Sequence, residues 1–140
     1  MYRLMSRTLL ILCSSALVTA CGDNTPAPTL PSPGPPPAIT ETFTGNLNRN
    51  GAVTHPFLAG SSGDIRAVLD AIEPEEVSSI GLSLGTWNGS ACQAVIANDN
   101  AISGAVLLGQ ASVASNLCLR IYDVGKIAAQ ASYQITLIHP

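Results

Sequence analysis

Ile80-Gly81-Leu82-Ser83-Leu84-Gly85-Thr86-Trp87-Asn88-Gly89 is the stretch whose reading decides the fold. Ile80, Leu82 and Leu84 recur at every second position, with Gly81, Ser83 and Gly85 between them. Side chains alternate across a strand, so this period of two puts the large apolar groups on one face and the small groups on the other. Asn88-Gly89 then supplies the residues that tolerate positive φ in a tight hairpin turn. The same grammar extends in both directions. Downstream, Cys92–Ala97 reads as a strand closed by Asn98-Asp99-Asn100, and Ala105–Ala111 as another. Leu117, Leu119 and Ile121 then alternate with Cys118, Arg120 and Tyr122, and Tyr133, Ile135 and Leu137 form the last strand. Upstream, Ile65, Ala67 and Leu69 share one face while Arg66, Val68 and Asp70 share the other. Pro74-Glu75-Glu76 breaks that strand. Glu41–Asn48 and Val53–Leu58 precede it, separated by Asn48-Arg49-Asn50-Gly51 and followed by Gly60-Ser61-Ser62-Gly63.

Turn signals at intervals of about 8–12 residues, with no helical period, predict an all-β domain over residues 39–140. About eight antiparallel strands, each with one apolar face, fit two sheets packed on each other. Roughly one hundred residues make one domain.

The first twenty residues follow a different logic. Arg3 and Arg7 precede the apolar run Leu9-Leu10-Ile11-Leu12, which continues to Val18, and small residues follow. This is the layout of a secretory signal, too short for a span of about 20 apolar residues. Leu17-Val18-Thr19-Ala20-Cys21 resembles the lipobox of bacterial lipoproteins. The resemblance implies cleavage after Ala20, acylation of Cys21 (palmitate among the chains) and a membrane lipid as the first partner. An ordinary signal cut near Ala20 is the alternative. In Gram-negative lipoproteins an Asp directly after the cysteine favours inner-membrane retention. Gly22 stands there and Asp23 comes one place later, so the resemblance implies a lipid-anchored envelope protein at the outer membrane. One acyl chain binds marginally, whereas two or three anchor stably.

Residues 21–38 form the lipidated cysteine and a linker. Seven of the ten prolines fall between Pro26 and Pro37. Proline fixes φ and removes a donor, so this stretch is expected as extended polyproline II, at ~3.1 Å per residue. A spacer is the plain reading; a PxxP ligand is the rival.

Within the domain, Glu41-Thr42-Phe43-Thr44-Gly45-Asn46-Leu47, His55-Pro56-Phe57 and Gly63-Asp64-Ile65-Arg66-Ala67-Val68-Leu69 resemble the opening of bacterial pre-peptidase C-terminal (PPC-like) domains. Asn116-Leu117-Cys118-Leu119-Arg120-Ile121-Tyr122-Asp123-Val124-Gly125 and Ser132-Tyr133-Gln134-Ile135-Thr136-Leu137 resemble their close. The resemblance implies a jelly-roll-like β-sandwich. Such domains are commonly appended to secreted proteases, and no protease is expected to accompany this one.

Of four cysteines, Cys13 lies in the signal and Cys21 is the lipid site. Cys92 and Cys118, each on a predicted strand of an exported protein, are expected to form a disulfide. The rival, a zinc site, lacks nearby His or further Cys. Two histidines remain, His55 and His139, both read as surface residues. A Ser-His-Asp triad could be drawn only on paper, from His55, Asp64 and some serine, so no enzyme is expected. No cofactor is implied. From residue 21 on, nine acidic residues against four basic ones give −5, which argues against nucleic acid. Some PPC-type relatives bind calcium, and Asn98, Asp99 and Asn100, with Glu73–Glu76, are weak candidates on otherwise solvated turns. Trp87, the sole tryptophan, is either a ligand contact stacking on a sugar or a plug at the end of the core. Tyr122 and Tyr133 read as core or corner residues. The expectation is a non-catalytic, tethered envelope lipoprotein that binds a protein or matrix partner. A carbohydrate-binding module and a passive structural protein are the alternatives.

Overall fold

Eight strands make up the domain: β1 (Ile39–Asn48), β2 (Ala52–Ala59), β3 (Gly63–Glu73), β4 (Ile80–Trp87), β5 (Cys92–Ala101), β6 (Val106–Ala111), β7 (Ser115–Tyr122) and β8 (Gln130–His139). The computed structural model describes Gly34 and residues 36–140. The segment read as a secretory signal, Cys21 and most of the proline-rich stretch lie outside the described residues.

The strands form two antiparallel four-stranded sheets, ordered β1-β8-β3-β6 and β2-β7-β4-β5. This is the strand order of a jelly roll. Every connection crosses between the sheets except the β4–β5 hairpin, which turns through Asn88–Ala91. Gly89 takes a φ of 96° there, and the Asn88 side-chain oxygen accepts the backbone amides of Ser90 at 3.0 Å and Ala91 at 2.8 Å.

Alternation builds the core. Ile65, Ala67 and Leu69 of β3 meet Ile135 and Leu137 of β8 on one sheet. Leu82 and Leu84 of β4 meet Leu119 and Ile121 of β7 on the other, and all are buried. A bulge at Asp70 shifts the phase of β3, so that Ile72 is again turned inward. The Thr136 hydroxyl donates to the bulged Asp70 carboxylate at 2.7 Å.

Strand β4 is buried on both faces from Ile80 to Gly85. Its outer side is covered because it carries almost no bulk. A Cβ at Gly81 would run into the ring of Tyr122, its cross-strand partner on β7. A Cβ at Gly85 would run into the backbone carbonyl of Gln93 on β5. That close approach explains the disulfide. Cys92 on β5 and Cys118 on β7 are bonded with their Cα atoms 5.8 Å apart, although β4 lies between the two strands. Strands two places apart in a sheet normally stand about 9–10 Å apart. The start of β5 therefore folds over the outer face of β4, in the space a side chain at Gly85 would occupy.

Strand β5 runs further than Cys92–Ala97. Asn98-Asp99-Asn100, read from sequence as the closing turn, lies within the strand. The strand holds two register shifts against β4, at Val95 and between Asn98 and Ala101, and these irregular places carry the polar residues that imitate a turn.

Asp123 ties together the loops at one end of the sandwich. One carboxylate oxygen accepts the amides of Gly125, Lys126 and Ile127, and the other accepts that of Asn50 in the β1–β2 turn. Desolvation pushes this carboxyl up, but the four amides favour the charged form more and hold it below its ordinary value.

Two changes test the crossing over β4. Gly85→Ala should cost about 2 kcal/mol, as an overpacked site against backbone that cannot retreat. Reducing the disulfide, whose cysteines are 26 residues apart, should cost about 3 kcal/mol. Urea unfolding of each form measures both, and the combination should cost less than the sum, because the two act on one contact.

Candidate functional site

The residues that could carry chemistry are not gathered in one place. Neither histidine is a free surface group, which corrects the sequence expectation. His55 of β2 is half-buried on the inner side of its sheet. Its ring stacks on Phe43 at 4.4 Å, and its Nε2 shares a 2.9 Å hydrogen bond with the hydroxyl of Tyr133 on the opposite sheet. Burial lowers the His55 pKa and raises that of Tyr133. His139 of β8 is 2% exposed. It packs against Phe57, its Nδ1 lies 3.2 Å from the Pro140 carbonyl, and its Nε2 lies 3.9 Å from a Glu41 carboxylate oxygen. Both imidazoles thus lie in the seam where β1 and β2 face each other. The sequence hid this because it depends on strand order: β1 and β2 are adjacent in sequence but lie on different sheets.

The paper triad is not assembled. His55 Nε2 is taken by Tyr133, and Asp64, on the outer side of β3, accepts from the Gln110 side chain at 3.3 Å. Two of the calcium candidates are also engaged. The Asn98 side-chain oxygen accepts the Asn100 amide, and the Asp99 carboxylate accepts the hydroxyl of Tyr122. Burial, and then that bond, push Tyr122 up to about 12. Arg120 lies over the Tyr122 ring at 5.2 Å. Among the described residues no three His, Cys, Asp or Glu side chains stand where they could share a metal ion. Trp87 is half-buried at the end of β4, opposite Cys92 and outside the core cluster, so it is not a core plug. Among the described residues no second aromatic ring packs beside it.

What the fold does gather is an apolar edge whose one charged residue is Asp99 of β5. Strands β5 and β6 end their respective sheets on the same side of the sandwich. Most of the exposed large hydrophobic side chains lie along this side, including Val95 (73% exposed), Val113 (66%) and Leu108 (65%), with Ile96, Ile102 and Val106. Between the two strands opens a groove of about 240 Å³, lined mainly by apolar side chains: Phe57, Ile65, Leu84 and Leu117 at its base, Ile96 and Val113 at its rim. Among the described residues no charged one lines it. A sequence signal for this surface exists: from Val77 to Leu119 the single charged residue is Asp99. A monomer rarely exposes a contiguous apolar patch beyond a few hundred Å², and larger ones mark interaction sites.

No protein-family model matches this chain, and no curated protein matches it.

The seam predicts a pH dependence. His55 has a lowered pKa in the fold, so its contribution to stability is complete above about pH 6.5 and is lost as the pH falls toward its folded-state value. The other ionisable groups of this seam, Glu41, His139 and Tyr133, are left in place by His55→Gln. Chemical unfolding at pH 7.5 and 5.5 should show the wild type weakening on acidification and the variant weakening less.

Proposed function

We propose that this chain is a non-catalytic envelope lipoprotein, anchored through acylated Cys21 at the outer membrane, whose PPC-like sandwich binds an envelope protein along the groove between β5 and β6. The lipobox-like run ending at Cys21 and the proline-rich linker behind it support the anchor. The order of the strand motifs quoted above supports the PPC-like reading, and the jelly-roll order of the sheets agrees with it.

The observation that carries the binding role is the uncharged groove flanked by exposed Val95, Ile96 and Val113. Residues 34–140 carry eight acidic and four basic side chains, and none of them lines this groove. Its occupant is therefore a neutral, apolar segment of a protein. A glycan is the weaker reading, because the polar and aromatic groups that orient sugars are not gathered around Trp87.

Two experiments test this reading. Cys21→Ser should move the protein from the membrane pellet to the soluble envelope fraction. A photo-cross-linking amino acid at Val113 should capture one envelope protein that the same probe at Thr44, on the exposed outer side of β1, does not capture. Ile96→Lys should abolish the capture. Identical capture from both positions would defeat the assignment of the groove.

A further inference from the structure

Each sheet of an open sandwich ends in two edge strands, and an edge presents unpaired backbone groups to any other chain. Three of the four edges here carry a recognised protection. Strand β1 holds Glu41 on its inward face, a charge that would be buried if another strand extended the stack there. Strand β2 holds Pro56, which has no amide to donate. Strand β5 holds two register shifts that break the regular row of donors and acceptors. Strand β6 has none of these. It runs Val106-Leu107-Leu108-Gly109-Gln110-Ala111, without charge or proline, and pairs with β3 in unbroken register from Gly63–Ala111 to Val68–Val106. Its outward side chains include Val106, 41% exposed, and Leu108, 65% exposed.

We infer that β6 pairs antiparallel with β6 of a second copy of this chain, across a two-fold axis, to give one continuous eight-stranded sheet. Charge selects the occupant. On this sheet the nearest charged residues are Asp64 and Arg66, one strand back on β3, where they pair with Gln110 and Leu108. In the dimer the β3 charges of the two copies stand three strand spacings apart, roughly 14 Å. That exceeds the Debye length of about 8 Å at physiological salt, so they do not oppose pairing. Elsewhere the surface is net acidic and repels a second copy. A two-fold contact uses one patch twice, and a neutral strand with apolar outward side chains is complementary to itself. One strand pair with its flanking side chains is a small interface, below about 1,200 Å², so the dimer belongs to the weak class. This inference goes beyond the proposed function and needs neither the lipid nor the groove.

The test is sedimentation velocity of the full chain carrying Cys21→Ser, from about 5 to 200 µM, a range chosen for the weak class of interface. The expected result is a monomer that shifts to a dimer with concentration. Leu108→Lys should hold it monomeric with an unchanged melting temperature, while Thr44→Lys and Val95→Lys leave the dimer intact. Hydrogen exchange of the β6 amides in the chain with wild-type β6 gives a second readout: their protection should rise with concentration while that of β1 does not. A monomer throughout, with concentration-independent β6 exchange, overturns the inference. So does a dimer that survives Leu108→Lys or is broken by Val95→Lys. Capture from Val113 with no self-association would leave the proposed function standing and remove this inference alone.

Discussion

Burial of β4 on both faces is the constraint on which the rest of the sandwich depends. Inside, Ile80, Leu82 and Leu84 fill the core. Outside, Gly81, Ser83 and Gly85 leave room for the Tyr122 ring and for the backbone at the start of β5. That room lets Cys92 reach Cys118 across an intervening strand. The disulfide in turn holds β5 against a sheet it joins through β4 alone, despite two register shifts. Small residues on one face of β4 are therefore not a weak strand pattern. They are the condition for a covalent strap over the sheet.

Much of the fold was legible because its signal is local. A period of two depends on the pleat and on which face is wet, so the strands around Ile65, Leu82, Leu119 and Ile135 could be read from neighbours in the chain. The pairing of Cys92 with Cys118 followed from two candidate thiols, each on an expected strand, and from the expectation that the chain is exported. The misreadings share one cause, in that each needed knowledge of which strands become neighbours. Asn98-Asp99-Asn100 has turn composition, but the bulges of β5 accommodate it inside a strand. His139 is polar and close to Pro140, but β8 is central in its sheet and turns the ring toward Phe57. His55 sits beside a proline on an edge strand, but Tyr133 of the facing sheet claims its Nε2.

The two open sides of the sandwich have opposite chemistry. Where β1 faces β2, the seam is closed by a stacked ring pair, an inter-sheet hydrogen bond and the Glu41–His139 approach. Polar groups inside such a seam are costly unless partnered, and the His139 Nε2 has no close hydrogen-bond partner, only a carboxylate at 3.9 Å. Where β5 faces β6, no polar network closes the gap among the described residues, and apolar side chains stay exposed around the groove. The sequence partitions in the same way: charge is concentrated before Val77 and after Leu119, and almost none lies between. A protein that needed only solubility would gain from more charge on β5 and β6. Asp99 is the one charged residue on these two strands, which sets this side apart from the rest of the surface.

The proposed edge pairing and the proposed lipid anchor also make physical sense together. A strand pair that buries a small area is poorly populated by a dilute soluble protein. Tethering changes the reference state, because an anchored domain meets its neighbours at an effective concentration set by the reach of its linker, on the order of mM for short linkers. Were Cys21 acylated as proposed, a contact too weak to detect in dilute solution would be populated at that concentration without any change in the domain. Under the two proposals together, the unprotected β6 edge, a liability in a soluble protein, would become a contact confined to the membrane surface.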